Sequence, residues 1–383
     1  MTEAAHAKYA PSGADIWVPC PGSVAMQAAQ PPEEESEESA AGTAAHWLLA
    51  QILLKLPVPA DAIAPNGVPI DNEMREGVAD LVRDVTDTLT TCKGGDYFQV
   101  ESKVAAPTMV HPDFWGTPDV FFVQWSTRTV HIWDFKYGHK FVDPFRHLQL
   151  VGYAACVIES ESITDWHDWT FTFTIAQPRC YVSDVLGGPL REWFTDGRTI
   201  APFIDQLAEA CRAADAPDAP CVPGEHCTYC RAIWDCSANQ RHAMAYAELS
   251  LGQSSLRMDA AAIGLEARVL RRAAGRLTAR LKALEVRALA LLDDGQSVPH
   301  HAVSFSQPRT VWAKDRQEEA ASIISMFADG VARLGVALPT PKQVIALGVD
   351  ASVISPYTTK AAPAKKLVEV DDAQAEKVFR RRD

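Results

Sequence analysis

GTPDVFFVQWSTRTVHIWDFKYG, residues 116–138, with QLVGY following at 149–153, is the stretch whose reading decides the fold. One apolar run holds Phe121, Phe122, Val123 and Trp125, and the next holds Val130, Ile132 and Trp133. They are joined through Ser126, Thr127 and Arg128, which predicts an antiparallel hairpin. With an even number of connecting residues, Asp119 faces Asp134 or Lys136, since directly opposed residues share a face; an odd number turns it away unless a bulge intervenes. Asp134 and Lys136 are two apart and project from one face of their strand, with Phe135 buried on the other. Gln149 and Tyr153 then sit one turn apart on a helix-like segment. Two carboxylates and an ammonium in one small volume suit phosphodiester hydrolysis: a hard divalent ion held by carboxylates polarises the phosphate and acidifies a water. The lysine orients that water or stabilises the developing negative charge. D-x-K alone is usually a surface salt bridge; the joint pattern of GTPD, DFK, Gln149 and Tyr153 sets this one apart.

Upstream, SGADIWVPCPGSVAM begins a short helix with Trp17 and Val18 apolar and Cys20 between two prolines. The acidic run from Pro31 to Ala40 has no periodicity and predicts a solvated loop. Thr43 is then a suitable cap for a helix carrying Trp47, Leu48, Ile52 and Leu53, with His46 in its first turns. A loop from Pro57 to Pro69, a helix from Glu73 to Leu89 and a strand from Tyr97 to Val104 lead to the central stretch. Downstream, Asp168 to Val182 alternates as a strand, and Ile200 to Ala213 reads as a helix. The composition then shifts to ADAPDAPCVPGEHCTYCRAIWDCSA, where Cys227, Cys230 and Cys236 have the spacing C-x2-C-x5-C. In a Pro-rich loop a core cysteine gains little, so three close thiolates suggest a metal site that needs a fourth ligand. Cys92, Cys156, Cys180 and Cys211 read as ordinary buried thiols.

The chain has 383 residues, enough for a main domain, 1–245, and a smaller, mostly helical one, 246–383. Its formal charge of −13 argues against a protein that coats nucleic acid over its whole surface, so any contact with phosphates is a local basic patch. Nine unevenly spread cysteines in a reducing compartment argue against a disulfide framework. No apolar run reaches the roughly 18 residues of a membrane span, and the N-terminus has neither a basic start nor an apolar stretch, so a cytoplasmic protein is expected. In the last third, Leu265 to Leu292 reads as one amphipathic helix. Its stripe of Arg268, Arg272, Arg276 and Arg280 is equally suited to lie along a phosphate backbone or to form a solvated face. An extended VSFSQPRTVW, helices at Arg316–Arg333 and Pro341–Leu347, and a frayed tail from Thr358 complete the chain.

GTAAH, GTPD, DFK and QLVGY, in this order, resemble the RecB-type branch of the PD-(D/E)XK nuclease superfamily, which includes RecB and AddB nuclease domains and the iron-sulfur CRISPR-associated exonucleases. The resemblance covers roughly residues 10–240 and implies an α/β fold with a restriction-endonuclease-like mixed central sheet flanked by helices. It makes His46, Asp119 and Asp134 ligands of a Mg2+ or Mn2+ ion, with Phe135 grouped beside them at the metal. Lys136 becomes the catalytic lysine, Gln149 and Tyr153 a supporting pair, and Glu101 an accessory acid. In the iron-sulfur members one cysteine precedes the histidine helix and three follow the nuclease core; the matching residues here are Cys20, Cys227, Cys230 and Cys236. Their thiolates would hold a 4Fe-4S cluster, while structural zinc, with His226 or Cys221 replacing Cys20, is the competing expectation. The resemblance implies a metal-dependent DNA exonuclease acting on linear ends or single strands in phage or bacterial recombination, working beside a single-strand annealing or other recombination protein. The alternative is a DNA-binding scaffold that keeps the nuclease fold and cuts nothing.

Overall fold

The computed structural model describes residues 7–31, 35–180, 188–250, 260–313, 316–327, 338–346 and 348–370. Contacts divide the chain into two units, Met1–Arg280 and Leu281–Asp383.

The first unit is built on a mixed five-stranded sheet. Its strands are β1 (Tyr97–Val100), β4 (Val120–Gln124), β5 (Thr129–Phe135), β6 (Thr170–Ala176) and β7 (Leu190–Asp196), adjacent in that order. The short β2 (Val104–Ala105) and β3 (Trp115–Gly116) pair separately. β4 and β5 form the expected antiparallel hairpin, with Val120 opposite Trp133 and Gln124 opposite Thr129. The connection is therefore Trp125–Arg128, an even number, and one step beyond the Val120–Trp133 pair Asp119 meets Asp134. β5 and β6 run parallel. A parallel pair needs a crossover, which is supplied by a helix, α5 (Leu148–Ser160), whose residues Gln149 through Ile158 are all buried.

Alternation along the strands supplies both faces of the sheet. Phe121, Val123, Val130, Ile132, Phe171, Phe173 and Trp193 pack with α5 and with α6 (Gly197–Ala214). Val120, Phe122, Trp133 and Phe135 pack on the other side with α3 (Glu37–Leu53) and α4 (Asn72–Leu89). Burying each phenylalanine contributes about 1.5–3 kcal/mol, and the one polar atom of buried Trp133 donates to Asp84 Oδ2 at 2.7 Å. The small helices α1 (Ala14–Trp17) and α2 (Ser23–Ala28) precede α3, and Trp17 joins the α5 side of the core.

Several local expectations change. Helix α3 starts at Glu37, inside the acidic run, because Ser36 rather than Thr43 is the cap: its hydroxyl accepts from Ser39 N at 3.1 Å. Glu37 and Glu38 then occupy the first turn, where the helix dipole favours negative charge. The predicted strand at Tyr97–Val104 is broken at Glu101, whose φ of 47° lies in the left-handed region. β7 has no counterpart in the sequence reading, although LREWFTD alternates buried and exposed side chains. The end of the Asp168–Val182 prediction lies outside the described residues. Cys92 is exposed, whereas Cys156, Cys180 and Cys211 are buried as expected.

Downstream, α7 (Ser237–Ser250) and α8 (Ala260–Asp293) follow the cysteine-bearing loop. The second unit has its own core of Trp312, Ala320, Ile324, Val344, Val349 and Ile354. That core is carried partly by α9 (Gln317–Phe327), α10 (Pro341–Ala346) and α11 (Ala351–Ile354). β8 (His301–Phe305) pairs with β11 (Lys365–Glu369), and β9 (Thr310–Trp312) with β10 (Thr358–Lys360). The tail expected to fray from Thr358 is thus strand-paired through Glu369; what lies beyond 370, like residues 328–333 of the helix predicted at Arg316–Arg333, is outside the described residues. Among the described residues no helix is long and apolar enough to cross a membrane.

Candidate active site and cysteine centre

The register of the sheet assembles a row of acids. Val100 pairs with Val120, and Val120 with Trp133, so the next step along β1, β4 and β5 holds Glu101, Asp119 and Asp134. The first two are joined by the Glu101 N–H donating to the Asp119 carbonyl at 3.0 Å. His46, from the middle of α3, reaches the end of the sheet and places Nδ1 2.9 Å from Asp119 Oδ1. Its ring meets Phe135 edge to face at 5.4 Å. The ligating atoms of His46, Glu101 and Asp119 lie within 4.8 Å of one another.

Asp134 belongs to a second set of contacts. Lys136 Nζ stands 2.8 Å from Asp134 Oδ2 and donates to Gln149 Oε1 at 2.9 Å. Gln149 Nε2 in turn donates to Asp134 Oδ1 at 2.8 Å and to the Tyr153 hydroxyl at 3.2 Å. The backbone N–H of Phe135 donates to Asp119 Oδ2 at 2.6 Å, so Phe135 joins the site through its main chain while its ring stays buried. Asp134 is 2% exposed, and its Oδ2 accepts no well-aligned hydrogen bond although the ammonium is its close counter-ion. A buried carboxylate whose Oδ2 has only the Lys136 ammonium beside it, next to a His and two further acids, is part of a donor set suited to a hard divalent cation.

The electrostatics follow from crowding. Burial pushes the Asp134 carboxyl up, against the pull of Lys136. Burial also opposes ionisation of Asp119, but the His46 imidazole outweighs it and holds that carboxyl low. Burial alone would lower His46, yet Asp119 above all lifts it to about 9. Glu101 is largely open to solvent as a residue, but desolvation of its carboxyl end and the nearby Asp119 charge push it up to about 7. Lys136 loses stability by burial and regains more from Asp134, so its ammonium is favoured. A cation bound among these groups would offset the burial, and the smaller repulsion from Asp119, that raise Glu101 and Asp134.

His147, at the N-cap of α5, did not stand out in the sequence. Its Nε2 is 3.7 Å from Asp15 Oδ2, while Nδ1 is buried without a hydrogen-bond partner. Only its position two residues before Gln149 could have flagged it.

The cysteines converge at another place. Cys20, Cys221, Cys227, Cys230 and Cys236 line one small cavity together with His226. Three main-chain N–H groups donate to sulfur: Val222 to Cys20 at 3.3 Å, Gly224 to Cys227 at 3.3 Å and Asn239 to Cys236 at 3.4 Å. Gly22 is a close-approach position against the Ala219–Cys221 segment, since a Cβ there would lie 2.6 Å from the Ala219 carbonyl and 2.8 Å from Cys221 Sγ. Burial raises the Cys20 and Cys227 thiols, but His226 and those N–H donors outweigh it and hold both below the usual thiol value. The same two sulfurs lift His226 to about 10. Burial pushes Cys221 and Cys230 up to about 11. Convergent sulfurs with N–H donors fit a thiolate-bound metal or cluster; both candidate replacements for Cys20, Cys221 and His226, stand in the same cavity.

The loop between Lys136 and α5 runs from one site toward the other, with Lys140 Nζ 3.9 Å from the Tyr229 ring centroid. The arginine stripe of α8 differs from a free phosphate-binding face. Arg272 pairs with Glu225 at 3.1 Å, Arg276 donates to the Tyr246 hydroxyl at 3.2 Å, and Arg280 is buried. Three of the four arginines therefore pack toward residues 225–246.

A family model described as protein of unknown function (DUF2800) matches residues 6–330, and the chain belongs to that family.

Proposed function

We propose that this protein is a metal-dependent DNA exonuclease that hydrolyses phosphodiester bonds in phage or bacterial DNA processing. The observation that carries the reading is the row of Glu101, Asp119 and Asp134 across three strands, with His46 at one end and the Lys136–Gln149–Tyr153 chain at the other. A divalent cation, Mg2+ or Mn2+, would be held by His46, Asp119 and Asp134, with the Phe135 carbonyl the expected main-chain ligand, and would supply Lewis acidity toward phosphate and water; the Phe135 N–H meanwhile orients Asp119. Glu101 completes the anionic side. Lys136, held by Asp134 and Gln149, would stabilise with its ammonium the charge that develops on the phosphate. Gln149 fixes Lys136 and Asp134 relative to one another, and Tyr153 fixes Gln149, so the proton-bearing groups are oriented before substrate arrives.

The thiolate centre of Cys20, Cys227, Cys230 and Cys236 is read as the site of a 4Fe-4S cluster that ties the two ends of the nuclease unit. Their convergence and the N–H donors to sulfur support that reading. DNA with linear ends or single strands is the proposed substrate, in a recombination setting with a single-strand annealing protein.

The test is digestion of linear DNA, labelled at either end, with Mg2+ or Mn2+ and with circular DNA as control. Asp134→Ala and Lys136→Ala should each lower the rate by at least about 100-fold, with folding and metal content of the cysteine centre retained, and chelation by EDTA should stop wild-type digestion until Mn2+ is restored. Binding of DNA by wild type with no metal-dependent cleavage would point instead to the non-cutting scaffold.

A further inference from the structure

Arg280 is the one member of the α8 stripe that is removed from solvent, at 8% exposure. Its guanidinium donates to the Ile233 carbonyl at 2.7 Å and to Asn239 Oδ1 at 3.1 Å. Both acceptors are neutral, and among the described residues no carboxylate pairs with it. Desolvating a guanidinium costs several kcal/mol, which neutral oxygens offset only in part. Something anionic close by is therefore needed to make this position favourable.

The two acceptors say where that anion is. Ile233 and Asn239 both line the cysteine cavity. The Ile233 N–H donates to the Cys230 carbonyl at 3.1 Å, and Asn239, itself 5% exposed, donates its main-chain N–H to Cys236 Sγ at 3.4 Å. Asn239 also acts on Cys227, helping to hold that thiol low. Arg280 thus grips the segments that carry three of the four sulfurs. A centre of four thiolates carries net negative charge, and more in its reduced form, so a fixed cation beside it favours reduction.

Resting on the iron-sulfur reading of the cysteine centre, we propose that Arg280 is its built-in counter-charge and positioning residue: it holds Asn239 and the Ile233 carbonyl against the thiolate loop, raises the reduction potential of the bound cluster and slows its loss. This gives the arginine face of α8 a role other than contact with phosphates.

The experiment uses the full chain purified without oxygen, with iron, zinc and sulfide measured first. Arg280→Met should shift the oxidised-to-reduced ratio at a fixed potential about tenfold toward the oxidised form, which is about 59 mV for a one-electron couple, and should speed iron release to a chelator. Arg280→Lys, which keeps the charge but loses the planar fork, should stay near the wild-type potential while releasing iron faster. Should Arg280→Met fail to fold, Arg280→Gln gives the same readout, because its amide can still donate to the Ile233 carbonyl while the charge is gone. A potential unchanged in Arg280→Met, or in Arg280→Gln, overturns the role of Arg280 and leaves the cluster reading intact. Stoichiometric zinc without iron in the wild type overturns the cluster reading itself, and the inference with it.

Discussion

Gly116 has no room for a side chain. A Cβ there would lie 2.8 Å from Tyr153 Cε1 and 3.0 Å from Pro11 Cδ. The glycine of GTPD is thus a close-approach position that lets Tyr153 lie against the strand and reach Gln149. Gly116→Ala is expected to cost about 1–3 kcal/mol as an overpacked core, and to slow digestion about 10- to 100-fold by displacing the Tyr153 hydroxyl. Paired thermal unfolding and nuclease assays test this, and an alanine variant with wild-type rate would show that Tyr153 has no part in positioning. His46 carries a different lesson. Its charge state depends on Asp119, an acid 73 positions away, so no property of α3 alone could mark it as more than a half-buried histidine.

At the scale of elements, α3 and α5 divide the work of holding the site. α5 is buried on all sides and brings Gln149 and Tyr153 to the end of β5, while α3 brings His46 from the opposite layer. α3 owes its start to Ser36. Ser36→Ala should lower stability by about 1 kcal/mol and speed amide exchange in the first turn, yet leave metal binding unchanged, since His46 lies well inside the helix. Isothermal titration with Mn2+ beside hydrogen exchange separates the two effects. A loss of metal affinity as large as that of His46→Ala would mean that the whole helix, and not its first turn, depends on the cap.

Across the whole first unit, two ties join the N-terminal segment to the end of the fold. One is Asp215 at the end of α6, which accepts from Lys8 and Tyr9 and approaches His111 Nε2 at 2.8 Å. Hydrogen bonds from Lys8 first, then Tyr9, hold its carboxyl down at about 2, against an ordinary 3.8. A depressed folded-state value stabilises above the ordinary one, so the contribution is complete above about pH 4 and disappears as pH falls toward 2. On this half-exposed carboxylate it stays within about 1 kcal/mol, and Asp215→Asn should flatten the acid limb of the unfolding midpoint by that amount. A difference between the two proteins that persists unchanged at pH 2 would rule out the carboxylate as its source. The second tie is Cys20, which meets the main chain of Val222, 202 positions away. Closing so long a loop is worth on the order of 5 kcal/mol, so Cys20→Ala should lower the midpoint of the metal-loaded protein far more than that of protein stripped by a chelator. Equal losses in both would mean that the sulfur packs without a bound centre.

The sequence by itself determined the local features: the two strands of the hairpin, the shared face of Asp134 and Lys136, the turn from Gln149 to Tyr153, and the C-x2-C-x5-C spacing. Each follows from a period of two or 3.6 residues or from a spacing within one loop, which neighbouring residues encode. The mixed central sheet between helices was expected from the family resemblance and not from any period in the chain, and its edge strand β7 was not read at all. The tertiary structure decided what depends on distant partners. The register set Asp119 opposite Asp134 and brought Glu101 into the same row, although a left-handed residue breaks its strand. Packing turned three arginines of α8 toward the cysteine loop and paired the C-terminal strands that composition alone suggested would fray. Those outcomes depend on which surfaces meet across long stretches of chain, and a side chain carries no local signal of the partner that folding will bring to it.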